Sequence, residues 1–146
     1  VEDNDTVYIL GDLLLGKNIE EHNKVFKNLK GNKIFIRGNH DTNNKVYKYV
    51  NDYGMENKGW ADVFKYGKFS FYLSHFPSFT ANFDNGKKYP LINLYGHTHQ
   101  KTNFFNDNNP YMYHVGVDSH KFYPVEIEQI IQDIKEKEYE ISKSSL

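Results

Sequence analysis

The sequence contains no cysteine. That absence removes disulfide bridges, thiolate zinc sites and cysteine nucleophiles together, so any metal must be held by His, Asp, Glu, Asn or water. Arginine is nearly absent too. Arg37 stands alone beside 17 lysines. Neither sign of charge is in excess: 18 Lys plus Arg against 19 Asp plus Glu give a formal charge of -1, which argues against a surface built to grip nucleic-acid phosphates. No apolar run approaches the roughly 20 residues of a bilayer-spanning helix, and nothing near Val1 has the pattern of a signal peptide. No membrane partner and a cytoplasmic location are therefore expected.

What is present is aromatic. Phe, Tyr and Trp make up 16% of 146 residues, so rings rather than small aliphatic side chains should fill the core of one domain spanning residues 1–146. The chain opens on Val1 rather than methionine, and an upstream piece is expected to belong to it.

Thr6–Leu10 reads as a buried strand stopped by Gly11. Residues 18–29 change to a helical pattern. Asn18 is placed to cap and Glu21 to complete a capping box, with Ile19, Val25, Phe26 and Leu29 on one face. Residues 33–37 form a second strand, and residues 44–53 a second helix. A hairpin follows over Ala61–Tyr66 and Phe69–Ser74, then a surface loop at 76–89 with a solvated Lys87-Lys88 pair. Leu91–Tyr95 and 111–117 return to strand. Ile127, Ile130, Ile131 and Ile134 make a core-facing helical stripe, and the tail after Glu138 is weakly specified. The β-α-β succession points to an α/β fold.

Polar residues gather where the buried strands end: Gly11-Asp12, Gly38-Asn39-His40-Asp41, His75, and Gly96-His97-Thr98-His99. Four of the seven histidines lie there, in the region where α/β sheets bind ligands. Asp12, Asn39, His75, His97 and His99 form a plausible ligand set: a carboxylate to bridge two cations, a neutral amide oxygen, and imidazoles suited to Zn, Fe, Mn or Ni. Two ions about 3.5–4 Å apart can clamp a phosphate and acidify a water. In an extended backbone His97 and His99 would face the same side.

In that order and spacing, GD, GNHD, a single His and GHTH resemble the motifs of the calcineurin-like metallophosphoesterases, from Gly11 to His99, and the similarity runs on through Val115-Gly116-Val117-Asp118 and Pro124. The resemblance implies an α/β sandwich with mixed sheets flanked by helices. It implies hydrolysis of a phosphomonoester or phosphodiester by in-line attack of metal-bound hydroxide, with two divalent or trivalent ions (Mn, Fe, Zn or Ni). Asp12 would bridge the ions, Asn39, His75 and His97 would hold the second, and His99 the first. His40 would protonate the leaving oxygen, with Asp41 as its orienting partner.

The family's Asp-x-His motif, on a strand upstream of GD, has no counterpart in the 11 residues before Asp12, so one ion site is complete and the fold is expected to lack its first strand. Three explanations stand open: a trimmed chain, a degenerate site, or Asp118-Ser119-His120 supplying the missing pair. A second function also stays open, a catalytically impaired binding or assembly module that keeps the fold and a partial metal site.

Overall fold

The computed structural model describes residues 1–16, 18–80 and 90–145. Residues 81–89, with most of the expected surface loop and the Lys87-Lys88 pair, lie outside them. Among the described residues, two sheets and three α-helices make up the fold. The first sheet is parallel, in the order β1 (Thr6–Leu10), β2 (Asn32–Ile36), β3 (Glu56–Asn57). The second is mixed, in the order β4 (Ala61–Tyr66), β5 (Phe69–Ser74), β6 (Leu91–Tyr95), β7 (Met112–His114). Here β4 and β5 form the expected hairpin, while β5, β6 and β7 run parallel.

Alternation along the strands sorts side chains into two cores. Leu10 and Ile36 turn towards the second sheet and pack with Phe71, Leu73, Ile92, Leu94 and Tyr113. Ile130 and Ile134 of helix α3 (Ile127–Ser144) close this core. Phe35, one residue out of phase, turns the other way into a second cluster with Leu14, Tyr53, Met55, and Val46 and Tyr49 of helix α2 (Asn43–Asn51). Burying each large side chain contributes roughly 1.5–3 kcal/mol, and edge-on rings such as Phe35 and Tyr49, centroids 4.9 Å apart, add to it.

Several details differ from the sequence reading. Helix α1 (Ile19–Phe26) has the capping box, with Asn18 Oδ1 accepting from Glu21 N at 3.3 Å and Asn18 Nδ2 donating to Glu21 Oε2 at 3.2 Å. It stops short of Leu29, and Ile19, Val25 and Leu29 are exposed rather than sharing a buried face. The strand expected over 111–117 is confined to β7, because the chain turns into a 3-10 helix at Val117–Ser119. Helix α3 continues past Glu138 to Ser144. Among the described residues, no helix is long and apolar enough to cross a membrane.

Candidate metal centre

The site is built where β1, β2, β5 and β6 end. Gly11, immediately after β1, has φ +86°, and a Cβ there would lie 2.5 Å from His75 Nδ1 and 2.7 Å from the Gly38 backbone. A Cβ on Gly38 would collide with the Asp12 carboxylate. The two glycines let the turns of different strands touch, which brings Asp12 beside the loop after β2. Asp12 itself has φ +53°, a left-handed backbone that costs of order 1–3 kcal/mol and persists because its surroundings fix it.

What fixes it is Asp41. This carboxylate is buried, with Oδ2 accepting from Asp12 N at 2.7 Å and Gly38 N at 2.8 Å, and Oδ1 accepting from Tyr49 Oη at 3.0 Å. Burial, followed by the Asp41 charge, raises the Tyr49 hydroxyl well above the ordinary phenol range and keeps it a donor. Among the described residues, no hydrogen bond joins either Asp41 oxygen to the His40 imidazole that Asp41 was expected to orient. Its oxygens are committed to the turns they tie together. Arg37 adds to the same loop, donating from Nε to the Asp41 carbonyl at 2.8 Å while its guanidinium lies 4.8 Å from the Trp60 ring centre.

Asp12 Oδ1 accepts from His40 N at 2.8 Å, and Oδ2 lies 3.2 Å from His75 Nε2. His75 is buried, and its Nδ1 is 2.8 Å from the Leu10 carbonyl. A carbonyl only accepts, so Nδ1 carries a proton, and when the ring is neutral Nε2 presents a lone pair. Around that lone pair stand Asn39 Oδ1 at 2.9 Å, His97 Nδ1 at 3.1 Å and Asp12 Oδ2 at 3.2 Å. With the His97 proton on Nε2, oxygen and nitrogen lone pairs converge on one point, an arrangement that a cation satisfies and an apolar or anionic group does not. One ligand atom from each of Asp12, His75 and His97 lies within 4.8 Å of the others, and among the described residues this trio is the His and Asp cluster close enough to share an ion. The residues fit a metal.

His99 stands apart from that trio. After Gly96 the chain does not stay extended: Thr98 N donates to the Gly96 carbonyl at 2.7 Å, and His97 and His99 have φ +62° and +47°. Strand alternation therefore does not govern where the two rings point. His99 Nδ1 instead meets Asp118 Oδ2 at 3.1 Å. His120, the other half of the candidate Asp118-Ser119-His120 pair, turns elsewhere and donates from Nε2 to the His114 carbonyl at 2.8 Å. The His40 side chain is exposed at the rim, with its backbone pinned on either side by Asp12 and by Lys45 Nζ, 2.9 Å from its carbonyl.

One contact had no signal in the sequence. The Phe76 ring sits edge-on to both His75 and His97, centroids 5.1 and 4.7 Å away, and walls one side of the site. A cavity of about 560 Å³ elsewhere is lined by Asn103, Ser119, His120, Lys121, Gln129 and Asp133, and includes none of these side chains.

A family model for the calcineurin-like phosphoesterase superfamily domain matches residues 1–123. An uncharacterised protein of Methanocaldococcus jannaschii is 37% identical over 87 residues, covering 58% of this chain and 42% of that protein, so the chain spans less than half the length of this relative. The crystal structure of a protein of unknown function from Aquifex aeolicus superposes with a TM-score of 0.62 and 19% identity, over 90% of this chain and 77% of its own, a likeness of fold.

Proposed function

The chain belongs to the calcineurin-like phosphoesterase superfamily, and from that premise we propose that it is a metal-dependent hydrolase of phosphomonoesters or phosphodiesters. The observation that supports this best is the His75 Nε2 lone pair facing Asn39 Oδ1, His97 Nδ1 and Asp12 Oδ2 within 3.2 Å. Asp12, Asn39, His75 and His97 would hold one cation, and His99, with Asp12, would contribute to a second. When bound, ions of the Mn, Fe, Zn or Ni kind supply positive charge to the non-bridging phosphate oxygens and lower the pKa of water there.

The chain's own residues supply the rest. The Leu10 carbonyl holds a proton on His75 Nδ1, and the His40 amide holds one Asp12 oxygen while the other faces His75 Nε2. The exposed His40 imidazole is the group that would give a proton to the leaving alkoxide, a contribution of about 10²–10⁴-fold. A cytoplasmic location and a phosphate-ester partner belong to the same proposal.

The test is titration calorimetry with Mn²⁺, paired with hydrolysis of nitrophenyl phosphate and bis-nitrophenyl phosphate. Saturable binding that is lost in His97→Ala, together with Mn²⁺-dependent hydrolysis, is the expected result. Unchanged Mn²⁺ content in His97→Ala overturns the ligand set. Binding without hydrolysis of either ester favours the binding or assembly module instead.

A further inference from the structure

We propose that Phe76 is a specificity-determining residue whose ring receives a flat aromatic group on the substrate ester, an inference resting on the phosphoesterase reading above. Phe76 directly follows His75, and its ring reaches across to His97, with centroids 5.1 and 4.7 Å from the two imidazoles. It packs in neither hydrophobic core, and 42% of the residue stays open to solvent beside the converging side chains. Apolar area left in water contributes nothing to folding, so the open part of the ring is free for another use. Asn39, His40 and His97 are exposed and polar, suited to the phosphoryl oxygens that every phosphate ester shares. Phe76 suits what differs among esters, the organic group. An aromatic group gains more from it than a saturated one of the same size, because ring faces and ring edges carry complementary partial charge.

The loop that carries the ring is built to stay in place. Asn93 of β6 is fully buried, with Nδ2 donating to Ser74 Oγ at 2.8 Å and to the Tyr72 carbonyl at 3.1 Å, and Oδ1 accepting from Ser78 N at 2.8 Å. Ser74 and Ser78 then donate from Oγ to the Phe76 carbonyl, at 2.7 and 3.1 Å. A buried amide costs free energy unless its polar atoms are matched, and here the matching pins the chain on both sides of Phe76. Pro77 fixes one further dihedral. A surface held in advance loses little entropy when a ligand arrives. Phe79, on the same loop and 81% exposed, is placed differently. Its neighbour Thr80 donates from Oγ1 to the carbonyl of Leu91, at the start of β6, whereas His97 follows that strand's end. The chain has left the site by that point.

The test compares benzylphosphonate with cyclohexylmethylphosphonate, unreactive analogues of nearly equal size, by calorimetry on the whole chain in Mn²⁺. Hydrolysis of benzyl and cyclohexylmethyl phosphate is followed in parallel, since their leaving alkoxides need a proton alike. The parent should bind the benzyl analogue about 2- to 10-fold more tightly. Phe76→Leu, which keeps an apolar side chain, should abolish that preference, whereas Phe76→Tyr and Phe79→Leu should keep it. In hydrolysis the lost preference should appear in KM and not in kcat, because the ring touches the substrate away from the reacting atoms. Equal affinity for the two analogues in the parent, binding of neither, or a preference that survives Phe76→Leu overturns the proposal. So does a changed Mn²⁺ affinity in Phe76→Leu, which would make the ring a prop for His75 and His97. A preference that depends on Phe76, with no hydrolysis of either ester, would instead overturn the phosphoesterase reading and uphold the aromatic contact, so the two failures are told apart.

Discussion

Asp41 should be worth more to the fold than any other polar side chain near the site. Its carboxylate receives two backbone N–H groups and the Tyr49 hydroxyl while only 1% exposed. Asp41→Ala leaves all three donors without this partner, the Gly38 amide and the Tyr49 hydroxyl in buried positions. At about 1–3 kcal/mol for each unsatisfied buried group, and allowing for relaxation, the loss should be roughly 3–6 kcal/mol, a large part of the 5–15 kcal/mol typical of a domain. Asp41→Asn keeps an oxygen for Asp12 N and Gly38 N, and its Nδ2 can donate to a Tyr49 Oη that reverses its role. Only the charge assistance goes, at about 1–2 kcal/mol. Urea unfolding followed by the fluorescence of Trp60, the sole tryptophan, and by circular dichroism in parallel measures both variants. In a Tyr49→Phe background the gap between Ala and Asn should narrow, because one of the three donors is already gone. Equal losses for Ala and Asn, or a loss below about 1 kcal/mol for Ala, would refute the assignment of Asp41 as the tie between the two turns.

Two other outcomes follow from the same reasoning. Burial, followed by the nearby His120 charge, pushes the His114 imidazole down to about 4 from its ordinary 6.5. The unfolded chain therefore binds a proton first as pH falls. The His114 contribution is intact above pH 6.5 and is lost between there and about pH 4, amounting to roughly 3 kcal/mol. His114→Asn should show a flatter acid limb in urea melts between pH 7 and pH 4.5, and parallel curves would contradict this. His40→Ala should slow alkyl phosphates far more than nitrophenyl phosphate, whose leaving group departs without a proton. Matched losses in steady-state assays of both substrates would remove His40 as the acid.

Where the fold was legible, the signal came from side chains with a side to choose. The hairpin of β4 and β5 and the run of β6 alternate or bury apolar residues, and the sequence places them within their observed bounds. β3 is only Glu56–Asn57, held to β2 by backbone pairing, and offers no pattern to read. The α1 periodicity is real, but periodicity reports a stripe and not a partner, which is why Ile19 and Val25 can be exposed. The extension of α3 past Glu138 reflects how little each added residue costs once a helix has nucleated.

In the site, the gathering of Asp12, Asn39, His75 and His97 was readable because each follows a buried strand and the strands share an end. The fate of His99 was not, because it depends on two left-handed residues after Gly96. Nor was the task of Asp41, since a motif gives a residue's place in the chain but not which donors will surround it.

The four converging side chains do not come from one layer. Asp12 and Asn39 leave the parallel sheet, whereas His75 and His97 leave the mixed one, and the His75–Leu10 bond already stitches the two. Under the proposed metal binding, an ion shared among them would act as a rivet through both layers, adding about 2.7 kcal/mol of resistance to unfolding at a hundredfold excess over its dissociation constant. Sliding one layer against the other would pull the rivet out, so metal loading and keeping the layers in register would then be a single equilibrium.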